Sequence, residues 1–389
     1  MMPAMEQNLR IPGPTPLPDD VRAAQAAAMI DHRGTEFAEM LRETSHGIGS
    51  LIGASGDVLL LTGSGTGGME AAIVNTLSPG DRVLSVNTGG FGDRFAAIAT
   101  AFGAQVDSLA FEWGTPADPA RLREQLATHD PYAAVLITHN ETSTGVTNPL
   151  QALVAEVHRG PGDPLAIVDG ISGLGAIPFE MDAWGVDVVV SASQKAWMAS
   201  PGIAIAALGP RAQEAVQAAR MPRFYWDFRQ ASNWSAKGQT PWTPAVSVLF
   251  GLRVGVQRLL AEGPARTWAR HAALAAATEA GLEALGLRLV APLPYRSGTV
   301  TAAWLPEGVE WSALNAALRG RGLAIAGGQG KWAGRILRFG HMGAVALDEL
   351  TAAIEVMSTT LPDFGVSADA AAASAATRDA YRSATEAAA

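Results

Sequence analysis

The chain has 389 residues, 48% of them hydrophobic and 17% charged, which is ample for a large core plus a smaller one and argues against general disorder. Its net charge is −9 with no basic run, so nucleic acid is not an expected partner, and the absence of cysteine removes disulfides, thiolate metal sites and thiol nucleophiles together. The seven histidines show no metal-ligand spacing, no apolar run approaches the roughly 20 residues of a membrane span, and Met1 to Arg10 lacks the apolar centre of a secretory leader; no metal, no membrane and a cytoplasmic location are the expectations.

In chain order, Ile-Pro-Gly-Pro-Thr-Pro-Leu-Pro at 11–18 cannot be helix and reads as the end of an extended arm, residues 1–18. Helical patterning covers Asp19–Ile30 and Thr35–Leu51. Strand and helix signals then alternate. The strands are Val58–Leu61, Arg82–Val86, Val106–Leu109, Ala133–Thr138, Leu165–Val168, Val186–Ser191 and Ile203–Leu208. Helices at Gly67–Leu77, Phe91–Phe102, Pro119–Ala127 and Pro149–His158 separate the earlier strands. This is the pattern of an α/β domain with a mostly parallel sheet, placed at residues 19–260, whose ligands belong at the carboxyl ends of the strands. Thr243–Leu282 reads as nearly continuous helix broken at Gly263-Pro264. A smaller α+β domain follows at 261–365, with strands at Arg288–Val290, Thr299–Trp304, Leu323–Ala326 and Arg335–Phe339 and helices at Trp311–Arg319 and Leu347–Leu361. Residues 366–389 form an Ala-rich tail without an apolar stripe, read as loosely attached.

The most telling stretch is Ser193-Gln194-Lys195, a lysine delivered by the apolar run Val186-Asp187-Val188-Val189-Val190. Leu165–Val168 ends in the same way on Asp169. A lone lysine at a strand end is more often solvated, and a lone aspartate there more often a helix cap. Paired at the ends of neighbouring strands, they suit pyridoxal phosphate, which is held by a lysine with an Asp or Arg at its pyridine nitrogen. Thr62-Gly63-Ser64-Gly65-Thr66-Gly67-Gly68 lies between a strand and a helix, where free N–H groups and the helix dipole suit a phosphate, although a plain Gly-rich turn would look the same. Phe91, at the next strand–helix turn, offers either a stacking face or an ordinary core ring. His139-Asn140-Glu141-Thr142-Ser143-Thr144-Gly145 is more polar than capping of the following helix requires. Arg335 and Arg338 fall on opposite faces of one strand, so at most one of them enters a site, where it would pair with a carboxylate.

Taken in order, these segments resemble the class V aminotransferases of fold type I, closest to the alanine–glyoxylate and serine–glyoxylate (serine–pyruvate) branch. The matching runs also include Pro12-Gly13-Pro14-Thr15, Thr240-Pro241-Trp242-Thr243-Pro244 and Leu337-Arg338-Phe339-Gly340-His341, so the resemblance spans about 12–343. It implies a large domain with a seven-stranded, mostly parallel sheet and a smaller C-terminal domain. It implies transfer of an amino group from serine or alanine to glyoxylate or pyruvate by a ping-pong mechanism. Lys195 would carry the cofactor and shuttle a proton, and Asp169 would pair with the pyridine nitrogen. Ser64, Gly65, Thr66 and Gln194 would hold the phosphate, Phe91 and Ile171 would face the two sides of the ring, and Thr142 would meet the ring hydroxyl. Arg338 would clamp the substrate carboxylate. Thr243, and with it Thr240, would reach the phosphate of the neighbouring subunit in a homodimer with shared active sites. Some members carry a tyrosine where this chain has Thr240, and Tyr225 is a candidate substitute. Lacking cysteine, the chain does not fit the related desulfurases, and no cation cluster suggests a phosphorylated substrate. A lyase reaction on the same cofactor and a non-catalytic subunit of this fold are the alternatives. Candidate residues for the side-chain pocket are the Pro12–Thr15 arm, Trp242, Gln329, and His32 with Arg33, which either receive a polar or acidic side chain or, as the somewhat favoured reading, cap and pair at a helix terminus.

Overall fold

The structure, a computed structural model, describes residues 7–388; the start of the expected arm, residues 1–6, lies outside the described residues. Seven strands form the main sheet: β1 Asp57–Gly63, β2 Arg82–Asn87, β3 Gln105–Ala110, β4 Ala134–Thr138, β5 Leu165–Asp169, β6 Val188–Ala192 and β7 Gly202–Leu208. Their order is β1-β7-β6-β5-β4-β2-β3, with β7 antiparallel to both neighbours and the other pairs parallel. The near-continuous apolar runs follow from this, because the sheet is covered on both faces. Val135 and Ile137 of β4 enter one core with Val86, Val168 and Val189, while Ala134 and Leu136 enter the other with Val83, Ile167 and Val190.

A second core gathers Leu274, Leu314, Leu318, Leu337, Phe339, Leu350 and Ile354 around a three-stranded antiparallel sheet. Its strands are β8 Val300–Trp304, β9 Ala326–Gly327 and β10 Ile336–Gly340, in the order β8-β10-β9. Residues Arg288–Val290 form no strand; a single bridge joins Leu289 to Ala303. The expected strand 323–326 divides in two: Leu323–Ala324 pairs in parallel with Asn8–Leu9, and the rest becomes β9. The long helix is interrupted as expected, into Val246–Glu262 and Pro264–Ala284, at Gly263 with φ +83°.

The Ala-rich tail differs from its reading. Ala370–Ala388 is a helix whose Ala373, Ser374 and Thr377 are buried. It packs closely on the Pro264–Ala284 helix: a Cβ on Gly281 would lie 2.4 Å from Thr377 Oγ1. Small residues make this contact, so no apolar stripe marks it. No described helix is long and apolar enough to cross a membrane.

Candidate active site

The carboxyl ends of β5 and β6 bring Asp169 and Lys195 together. Register pairs Asp169 with Val190 of β6 and with Thr138 of β4, so Asp169 closes the strand at the sheet's centre. Three residues beyond β6, Lys195 lies on a turn that Ser193 pins. The Ser193 hydroxyl donates to the Ser200 carbonyl at 2.7 Å, and its amide donates to Ile203 O at 3.0 Å. Trp197, fully buried, anchors the far side of the turn and donates to Ser191 Oγ at 2.8 Å.

The electrostatics follow from burial. Asp169 is 3% exposed, and burial first, then the nearby Glu141, raises its carboxyl to about 7, against the Ile171 N–H and Lys195. Burial lowers the Lys195 amine to about 8, against the attraction of Asp169. Lys195 Nζ donates to the Pro12 carbonyl, so the N-terminal arm forms one wall of the site. Thr15 fastens this arm, its amide donating to Gln194 O at 3.0 Å and its hydroxyl to Lys195 O at 3.1 Å.

Lys195 opens on a cavity of about 360 Å³, walled by Phe91 and Thr142 from the large domain and by Trp311, Gln329 and Arg338 from the smaller one. Arg338 is 5% exposed, and its described partners are carbonyls: Nε donates to Gly327 O at 2.8 Å and Nη1 to Thr142 O at 3.3 Å. Burial lowers its guanidinium to about 10. Arg335 lies in the turn just before β10, not on the strand, and is exposed over the Trp304 ring.

The expected phosphate turn caps the helix Gly65–Thr76. Ser64 is its N-cap, accepting from Gly67 N at 3.4 Å, and Arg94 donates to Thr66 Oγ1 at 3.4 Å. Gly65 is tightly enclosed, since a Cβ there would meet Ile171 Cδ1 at 2.7 Å and Ala192 Cβ at 3.2 Å. Ile171 therefore lies directly beside this helix start. Gln194 carries a buried Oε1 with no hydrogen-bond partner.

The polar segment 139–145 resolves into separate roles. His139 is a core imidazole against Phe179 and Trp184, lowered to about 4 by burial. Asn140, in the short antiparallel pair Asn140–Glu141 with Val146–Thr147, bridges to Ser172, Ser297 and Thr299, tying this segment to the smaller domain. Thr142 donates to Ser172 Oγ at 2.7 Å, which leaves its lone pairs for the cavity. Glu141, unassigned by sequence, accepts from Phe91 N at 3.0 Å, Gly92 N at 3.1 Å, Ser143 N at 3.0 Å and Ser143 Oγ at 2.6 Å. It thereby fixes the start of the Gly90–Ala101 helix, where Phe91 lines the cavity with Arg94 over its ring at 4.7 Å.

Other expected residues lie elsewhere. Thr240 is buried and donates to Trp242 O at 2.7 Å, while Thr243 is exposed, and neither lines the cavity of its own chain. Arg33 holds the 239–241 loop, donating to Gln239 Oε1 at 3.2 Å and Thr240 O at 2.6 Å, with its guanidinium over Trp234. Like His32 and Trp242, it stays outside the cavity, whereas Pro12, Gly13 and Gln329 line it. Among the wall residues without a sequence assignment are Trp311, Asn315 and Arg319, one stripe of the Trp311–Gly320 helix.

The aminotransferase class-V family profile matches residues 20–337. The chain belongs to the class-V aminotransferases. It is 39% identical to the soluble hydrogenase small subunit of Synechococcus sp., over 92% of this chain and 93% of that one. It is 36% identical, over 97% of each chain, to the L-aspartate–glyoxylate aminotransferase of Paracoccus denitrificans. Among solved structures, the alanine–glyoxylate aminotransferase of Nostoc sp. matches with a TM-score of 0.88 at 29% identity, over 92% of this chain and 96% of that one.

Pyridoxal phosphate is the cofactor of this family, and the chamber fits it. Asp169 Oδ1 takes the Ile171 N–H at 2.9 Å, and Oδ2 takes no bond from any described residue, leaving an acceptor free for a ring N–H. The enclosed start of the Gly65 helix, whose N-terminal amides and dipole favour an anion, fits a phosphate.

Proposed function

We propose that this aminotransferase moves an amino group from a small amino acid, serine or alanine, to glyoxylate or pyruvate. The observation that carries the reading is the Asp169–Lys195 pair at the foot of a cavity whose wall holds Arg338. A buried guanidinium bonded only to carbonyls calls for an anion, and every donor and acceptor of the reaction brings a 2-carboxylate. The named relatives with glyoxylate as acceptor support that half of the assignment. A hydrogenase reading has no support here: the chain has no cysteine, and the described residues hold no group of side chains able to bind a metal.

When bound, the cofactor supplies an electron sink that acidifies the donor's Cα–H and a carbonyl carbon that carries the amino group. Lys195 would anchor it, and the Lys195 amine, when free, would be placed to take the donor's Cα proton on Nζ. An amine lowered to about 8 is a competent base near neutral pH. Asp169 offers Oδ2 to the ring N–H and keeps that proton in place. Thr142 accepts from the ring hydroxyl, and Phe91 and Ile171 hold the ring between them. Ser64, Gly65, Thr66 and Gln194 hold the phosphate. Arg338 grips the 2-carboxylate in both half-reactions, which orients Cα toward Lys195.

The same reading makes the protein a homodimer in which Thr243, with Thr240, serves the partner's phosphate. An aromatic ladder beside Thr243 supports it: Phe224, 71% exposed, stacks on Trp242 at 4.9 Å, and Tyr225 stacks on the same indole. The decisive experiment is Lys195→Ala with serine, alanine and glyoxylate. Turnover should vanish and the bound cofactor should lose its lysine-linked absorbance band. Persistence of that band in the variant would remove Lys195 from the mechanism. Pyruvate and ammonia formed from serine, in place of its 2-oxo acid, would favour the lyase alternative.

A further inference from the structure

The cavity wall carries a second arginine, and it comes from an unexpected element. The Trp311–Gly320 helix buries Leu314 and Leu318 in the smaller domain's core. The neighbouring stripe Trp311, Asn315 and Arg319, spaced four residues apart, lines the cavity instead. Arg319 Nε donates to Asn315 Oδ1 at 3.2 Å, which orients the guanidinium, and no described residue takes a bond from its terminal nitrogens. Trp311 closes the gap between the two arginines' elements. Its indole packs on Gly327, where a Cβ would lie 2.5 Å from Nε1, and the Gly327 carbonyl is the acceptor of Arg338 Nε.

The charge of this wall is one-sided. Among the described residues, Lys195, Arg319 and Arg338 are its three cations, and no aspartate or glutamate lines the cavity. One substrate carboxylate pairs with Arg338. A second guanidinium lines the same chamber, exposed to solvent and with no described acidic side chain beside it, and would suit a second anionic group on the same substrate.

We propose that Arg319, positioned by Asn315, binds the distal carboxylate of a short dicarboxylic amino acid, so that the donor site takes such a substrate as well as serine or alanine. The inference rests on the aminotransferase reading of this site. For a four-carbon donor the exchange balances as aspartate plus glyoxylate giving oxaloacetate plus glycine, with no further reactant.

The experiment uses the cofactor-loaded protein and measures kcat/KM for L-aspartate and for L-alanine with glyoxylate as acceptor, in the wild type, Arg319→Gln and Arg319→Lys. The ratio of the two kcat/KM values, aspartate over alanine, should fall about 10–100-fold in Arg319→Gln, mainly through KM for aspartate, and be partly restored by lysine. A ratio that stays within about twofold in Arg319→Gln, with alanine still turned over, would overturn the role of Arg319 and leave the aminotransferase reading standing. A wild-type protein that turns over no amino donor would instead remove that reading and this inference with it.

Discussion

Lys195 Nζ donates to the carbonyl of Pro12, 183 residues away in sequence, so the reactive amine is held by the N-terminal arm and not by its own strand. Gly13 makes this approach possible. Its φ is +104°, and a Cβ there would meet Lys195 Cδ and Nζ at 2.9 Å. Gly13→Ala should therefore push the lysine from its seat and strain the arm by about 1–3 kcal/mol. Absorbance of the purified variant should show lower cofactor occupancy, and its thermal midpoint should fall. Normal occupancy and an unchanged midpoint would mean that the arm merely lies against the lysine.

The depressed Lys195 amine predicts how cofactor-free protein takes up pyridoxal phosphate. Burial brings it from 10.5 to about 8, so at pH 7 roughly a tenth of the molecules carry the neutral, nucleophilic form. The rate of covalent uptake, followed by absorbance, should rise nearly tenfold per pH unit below 8 and level off above it. A rate that keeps climbing to pH 10 would show that the amine is not depressed.

Much of this site was legible in the chain because strands and chemistry share one signal. The apolar runs that end on Asp169 and near Lys195 are long and two-faced, and only a covered parallel sheet asks for that. The turns at the same sheet edge marked Ser64, Phe91 and the polar run around Thr142 as candidates beside plainer readings, and only the resemblance chose among them. Strand alternation admitted at most one of Arg335 and Arg338 to the site without saying which; the resemblance pointed to Arg338, and Arg338 is the one buried against the cavity. What stayed hidden depends on contacts between distant segments. Arg319 is legible as one residue on an amphipathic helix, but nothing local says that its stripe faces Lys195. Arg33 offered a plausible cation, yet its partners lie more than 200 residues away in the 239–241 loop. The Ala370–Ala388 helix escaped notice because Ala373 and Thr377 fit against Gly281 by being small, and hydrophobic patterning does not register such contacts.

Asp169 gives a prediction with opposite effects on folding and binding. In the cofactor-free chain its carboxyl titrates at about 7, above the ordinary 3.8, so the folded state holds that proton between those values. The associated stability is therefore present at low pH and lost as pH rises through 7. Asp169→Asn removes the titration. Cofactor-free variant and wild type should have similar thermal midpoints only below pH 3.8, and the variant should become increasingly the more stable as the pH rises from there to about 7. Its affinity for pyridoxal phosphate should fall, because an amide oxygen replaces a full charge opposite the ring N–H. Parallel midpoints at all pH values would mean that Asp169 does not carry the buried charge.

Glu141 should prove as important as the residues that touch the cofactor, through Phe91. Its carboxylate accepts from two successive amides at the start of the Gly90–Ala101 helix and from both the amide and the hydroxyl of Ser143. The helix dipole and these four donors favour the anion there against the burial that raises its proton affinity. In Glu141→Gln one acceptor oxygen becomes an NH2 group facing N–H donors, so at least one buried amide loses its partner. The loss should be about 1–3 kcal/mol of stability, read from denaturant unfolding of the cofactor-free protein. Because Phe91 starts that helix and faces the cavity, cofactor affinity should weaken alongside. Ser143→Ala removes one donor to the carboxylate and the acceptor of the Gly90 amide, and leaves the carboxylate with its three backbone donors, so it should show a smaller fraction of both effects. If Glu141→Gln lowered stability while affinity held at the wild-type value, Phe91 would be positioned independently of this carboxylate.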